Sequence, residues 1–185
     1  MSVSTALHEA ALLEDDEIDD DYMRMPALHR AAFLGQLHVI RYLVVERGAK
    51  VSYLDNDGYT ALHVACSMNQ PEAVELLLKH GADMYRANDS GLLPIHVAAI
   101  GNSIAVVRLL IQHGFNVLET GGLRDTARDV AESYGHLELI RILEESELKL
   151  EKCVAFAMSH HARIGSESMP SALDPEVLRM IIQRV

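Results

Sequence analysis

Apolar and small residues recur along this chain in two alternating helical registers. Leu28, Ala31 and Ala32 mark one side of a short segment, and Leu62, Val64 and Ala65 mark the same side of another. A second kind of segment follows each, with Val74, Leu77 and Leu78, or Val106, Leu109 and Leu110, at i, i+3, i+4 spacing. Between the two kinds stand Gly35, Asn69, Asn102 and Gly135. Gly and Asn tolerate the left-handed backbone that a tight helix–helix turn demands. Gly48, Gly81 and Gly114 close the second segments, at the usual place for a helix-ending glycine. The pattern predicts short helix–turn–helix units whose alanine-rich first helices pack closely.

The units are copies of one another. "PALHRAAFLG", "TALHVACSMN", "LPIHVAAIGN" and "TARDVAESYG" align, and so do "HVIRYLVVERGAK", "EAVELLLKHGADM", "AVVRLLIQHGFNV" and "ELIRILEE". The first phrases place His29, His63, His96 and Asp129 in one column, a repeat of about 33 residues. Asp55-Asn56-Asp57-Gly58 and Asn88-Asp89-Ser90-Gly91 form a turn column ahead of it. One extra residue in the first copy falls near "VVERGAK", where a loop at the helix end is expected to absorb it.

On these residues the chain resembles the ankyrin repeat family over roughly residues 21–145, through its 33-residue period and T-P-L-H-x-A phrase. The resemblance implies an all-α ankyrin-repeat solenoid, because a unit that cannot bury its apolar face alone does so by stacking. The repeats are expected at about 25–58, 59–91, 92–124 and 125–145. Residues 1–24 are expected to form a truncated cap helix and acidic loop: Thr5-Ala6-Leu7-His8 restarts the phrase only 21 residues before His29. Residues 146–185 are expected as a helical extension, with the last second helix running on through "ESELKLEKCVAFAMSHHA". Within it, residues 173–185, "LDPEVLRMIIQRV", resemble the opening helix of an F-box through Leu-x-Pro-x-x-Leu-x-x-Ile. The competing reading, which we favour, is a cap helix with Val177, Leu178, Ile181, Ile182 and Val185 facing the stack.

Charge narrows the partners. The formal net charge is −11, and seven carboxylates crowd the eight residues from Glu14 to Asp21. That run lacks the ligand spacing and central glycine of a calcium loop, so a solvated acidic loop is expected. No basic stripe exists to neutralise phosphates, so no nucleic-acid partner is expected. No stretch approaches the length of a membrane span, so no membrane insertion is expected. Cys66 and Cys153 are too few for a disulfide framework, which points to a reducing cytoplasmic or nuclear setting.

Ten histidines invite a metal or catalytic reading, but the repeat spreads them along the solenoid, and His8, His29, His63 and His96 sit in copies of the signature phrase. In the family such histidines hydrogen-bond backbone around the turn. Cys66 falls in an alanine column and reads as core. No G-x-S-x-G, H-E-x-x-H, Cys-x-x-Cys or phosphate-cradling loop occurs, so no enzyme activity, cofactor or metal is expected. The resemblance implies protein binding on the concave surface of turn tips and first helices. Carried over by column, the binding residues are Phe33, Leu34, Asp57, Tyr59, Met68, Ser90, Leu92, Ile100, Leu123 and Tyr134. The two roles this leaves are a scaffold or subunit joining another protein, and a substrate adaptor engaging a ubiquitin-ligase component through residues 173–185.

Overall fold

A computed structural model describes residues 25–122 and 124–164. The expected cap helix, the acidic run, Leu123 and residues 173–185 lie outside the described residues. Among the described residues all regular structure is helical, in four helix pairs. These are α1 (Ala27–Phe33) with α2 (Leu37–Arg41), α3 (Ala61–Ser67) with α4 (Pro71–Lys79), α5 (Pro94–Ile100) with α6 (Ile104–Gln112), and α7 (Ala127–Ser133) with α8 (Leu137–Ile164). First helices pack on first helices in chain order, and second helices on second helices, giving two layers.

The residue types explain the layers. Ala31, Ala32, Ala61, Ala65, Ala98, Ala99, Ala127 and Ala131 are fully buried, and their lack of bulk lets neighbouring first helices approach. Ile40, Leu77, Leu110, Leu139 and Leu143 fill the space between the layers. Full burial of each such side chain contributes about 1.5–3 kcal/mol. Cys66 is buried as a small core residue among them.

The helix–helix turns follow the predicted chemistry. Gly35, Asn69, Asn102 and Gly135 have φ of 64°, 50°, 51° and 72°. That conformation lets the next N–H return to a helix carbonyl five residues back: Gln36 to Ala31 at 2.9 Å, Gln70 to Ala65 at 3.0 Å, Ser103 to Ala98 at 2.8 Å, His136 to Ala131 at 3.0 Å.

The extra residue of the first copy is not in a loop. After Arg41 the helix continues as a π-helical turn, Tyr42–Glu46. In the second and third copies the residue after the helix-ending glycine bonds five back, Ala82 to Leu77 and Phe115 to Leu110. In the first copy Ala49 bonds six back, to Leu43, at 2.9 Å. A wider turn admits the residue without moving Leu43 out of the core or Gly48 off the helix end. A loop would have cost those helical hydrogen bonds.

At the far end α8 runs unbroken through 28 residues. Arg128 of α7 donates to Glu147 at 2.9 Å, tying α8 to the first-helix layer. Leu139, Ile142 and Leu143 are buried, whereas Leu148 beyond them is exposed.

Candidate protein-binding surface

Two of the turn tips are held by an Asp or Asn bonded to its own loop. The Asp55 carboxylate accepts from the N–H groups of Asp57 (3.0 Å) and Tyr59 (2.8 Å). Asn88 does the same for Leu92 at 2.8 Å. Successive tips are then joined directly. Asp89 N–H donates to the Asp57 carbonyl at 3.3 Å, and Gly122 N–H to the Gly91 carbonyl at 2.7 Å. Gly91, with φ of 78°, lies so close to Gly122 that an added Cβ would stand 2.8 Å from its Cα. The tips form one continuous edge.

The signature histidines pin that edge to the first helices. Nε2 of His29 meets the Tyr59 carbonyl at 2.8 Å, and Nε2 of His63 meets the Leu92 carbonyl at 3.1 Å. Each ring thus bridges to the next repeat. The other nitrogen caps the ring's own helix: Nδ1 of His63 accepts from Thr60 N–H at 3.2 Å, and Nδ1 of His96 from Leu93 N–H at 3.1 Å. Nδ1 of His29 has no partner, because the matching position is Pro26, which has no N–H. Nε2 of His96 also lacks a partner in bonding geometry, although the Asp125 carbonyl faces it.

Burial lowers the affinity of these rings for a second proton, most at His63, whose pKa is pushed down to about 4. His29 and His96 shift the same way for the same reason. They are neutral structural groups at neutral pH. Asp129 replaces the histidine in the fourth repeat. Its carboxylate accepts from Thr126 N–H at 2.8 Å and from the Thr126 hydroxyl at 2.7 Å. Those bonds hold its pKa below the usual carboxylate range. Burial pushes the Cys66 thiol far up, leaving it unreactive. Among the described residues, no group of three or more His, Cys, Asp or Glu is arranged to hold a metal. No described helix is long and apolar enough to cross a membrane.

The sequence-predicted binding residues fall into two sets. Phe33, Leu34, Met68 and Tyr134 are exposed at 43%, 50%, 40% and 57%, all where a first helix ends. Asp57 and Ser90 are exposed on the tips. Tyr59, Leu92 and Ile100 are half-buried instead. Tyr59 packs edge-on against the His63 ring, 5.6 Å between centroids, so it serves the scaffold as well as the surface. Sequence reasoning missed Leu37 and Leu137, both exposed just past the helix–helix turn. Their signal was adjacency to Leu34 and Tyr134 across a turn known to be tight. α3 and α5 carry no Asp, Glu, Lys or Arg.

Known proteins carry the same pattern. A model of three-copy ankyrin repeats matches residues 6–88, and a model of many-copy ankyrin repeats matches residues 68–111. The chain is 43% identical over 53 residues to BCL-6 corepressor-like protein 1 of Mus musculus and to that of Homo sapiens. That stretch is 29% of this chain and 3% of either relative. It is 41% identical over 54 residues to Protein phosphatase 1 regulatory subunit 27 of Mus musculus, again 29% of this chain and 34% of the relative. The match therefore spans a small fraction of the corepressor-like proteins and about a third of the regulatory subunit. With the stacked helix pairs, bonded tips and bridging histidines, these matches show that the chain belongs to the ankyrin repeat family and is a protein-interaction module.

Proposed function

We propose that the chain is a non-enzymatic subunit or scaffold that binds another protein on the surface formed by its turn tips and first helices. Residues 25–145 would be the binding body, with residues 1–24 and 146–185 as its ends. The observation that carries this reading is the exposed apolar row of Leu34, Met68 and Tyr134, contributed by three repeats at one column, with Phe33 beside Leu34. Large side chains held exposed by a rigid scaffold suit a protein interface, where a few such residues dominate the binding energy. The relatives' names, a corepressor-like protein and a phosphatase regulatory subunit, are those of proteins that work through others. The unpaired cysteines fit a reducing cytoplasmic or nuclear setting.

The test is a Leu34→Ser, Met68→Ser double variant of the full chain. Both residues are at least 40% exposed, so the melting temperature is expected to stay within a few degrees of wild type. Partners that co-purify with the wild-type chain from its own cells should be lost or strongly depleted. Full-strength co-purification with the folded double variant would refute the assignment of this surface.

A further inference from the structure

We propose that the segment of the partner seated on this surface is basic and apolar together, with Lys or Arg along the tips and large apolar side chains on the first-helix row. This rests on the binding reading above and adds the chemistry of the ligand. Two parallel rows set it. Three consecutive tips each present an exposed aspartate, Asp57, Asp89 and Asp125, at a different position within each tip. Their carboxylates enter none of the hydrogen bonds or ion pairs among the described residues, whereas Asp55 is consumed by its own turn. One first-helix length away, about 10 Å at 1.5 Å per residue, runs the apolar row. Between them, α3 and α5 place no charge. A ligand crossing this surface meets carboxylates on one side and apolar side chains on the other.

Helices packed side by side lie about 8–10 Å apart, so successive tips, each with its aspartate, repeat at about that interval. A basic side chain once every two helical turns of a bound segment, about 10.5 Å, keeps step with them. Arg124 beside Asp125 offsets the third carboxylate, which puts most of the attraction at Asp57 and Asp89. The whole chain, with 27 acidic against 16 basic residues, adds a long-range field that draws in a cationic ligand. The same charge repels a second copy of this chain and any nucleic acid, so neither is the occupant.

The experiment selects short random peptides displayed on phage against the full chain at low salt. Synthetic copies of the enriched peptides are then titrated by fluorescence anisotropy. The titrations use wild type, Asp57→Asn with Asp89→Asn, and Leu34→Ser with Met68→Ser, at low and high salt. Enriched peptides should combine Lys or Arg with Leu, Met or aromatic residues. The Asn variant should weaken them by about tenfold at low salt and little at high salt, as expected for two exposed ion pairs. The Ser variant should weaken them at both.

Neutral or acidic peptides, or full affinity for the Asn variant, overturn the basic-ligand proposal. If those same peptides are still lost with the Ser variant, the surface assignment stands. Peptides indifferent to both variants, or no enrichment at all, sink both readings. Concentration-dependent dimerisation in sedimentation that excludes the peptides would assign the surface to a second copy and overturn the proposal as well. Both variants must melt with wild type, which their exposed positions favour.

Discussion

Pro26→Thr is expected to stabilise the protein, against the usual direction of single substitutions. In the second repeat Thr60 makes two capping bonds with His63: its N–H donates to Nδ1 at 3.2 Å, and its Oγ1 accepts from the His63 N–H at 3.4 Å. At the matching position of the first repeat Pro26 makes neither, and the buried Nδ1 of His29 stands without a donor. The backbone there, φ −55° and ψ 147°, is the extended conformation that Thr60 adopts at −90° and 165°, so threonine fits without strain. A threonine N-cap contributes about 1 kcal/mol, and satisfying a buried acceptor about 1–3 kcal/mol. Loss of proline's rigidity in the unfolded chain costs about 0.4–1 kcal/mol. The net is a gain of about 1–3 kcal/mol, or about 3–8 °C in melting temperature for a chain of this size. Thermal melts followed by circular dichroism measure it directly. Pro26→Ala supplies the N–H without the hydroxyl and should fall between wild type and Pro26→Thr. If Pro26→Thr melts at or below wild type, the capping account of the histidine column is wrong.

Two further perturbations probe the scaffold. Stability should fall as pH drops from about 6.5 to about 4, the window set by His63. Above that window the ring is neutral folded and unfolded; within it only the unfolded chain takes up the proton; below it both do. The full loss from His63 is on the order of 3 kcal/mol, and His63→Gln should flatten a plot of melting temperature against pH over that range. A wild-type melting temperature unchanged between pH 7 and 4.5 would contradict the burial of the ring. Gly91→Ala should destabilise more than Gly81→Ala. Both have positive φ, but the first drives a Cβ into the Gly122 backbone while the second meets nothing within 4 Å. Equal losses in a denaturant titration would show that the tip contact is loose.

What the sequence made legible is what depends on local chemistry. The left-handed turn residues, the buried alanines and the core role of Cys66 each follow from one residue's backbone or size. The position of the inserted residue was not legible, because Leu43-Val44-Val45 offers three apolar residues and no unique helical register. Only the six-back bond of Ala49 locates it in a π turn. The half-burial of Tyr59, Leu92 and Ile100 was hidden for another reason. Rings of the signature histidines close their columns: His63 packs edge-on against Tyr59, and His29 of the preceding repeat bonds the Tyr59 carbonyl. The vacant donor at Pro26 was written in the sequence, but it has meaning only beside the Thr60–His63 geometry.

That geometry also explains why the fourth copy departs from the histidine. An imidazole at this position serves two sites: Nδ1 caps its own helix, and Nε2 reaches a carbonyl in the following repeat. A carboxylate accepts but does not donate, so it serves the first role alone. Asp129 caps α7 through Thr126, and no fifth helix pair is stacked on it among the described residues. Among the described residues α8 is prolonged beyond the usual second helix and joined to α7 by Arg128 and Glu147. Burial raises the Glu147 pKa, while Arg128 opposes that shift by stabilising the charged form. The histidine ladder therefore stops where its second bond would have no acceptor. An inter-helix ion pair takes over the coupling, and the second repeat, bridged by His29 from before it and by His63 to the next, is the firmest part of the binding surface.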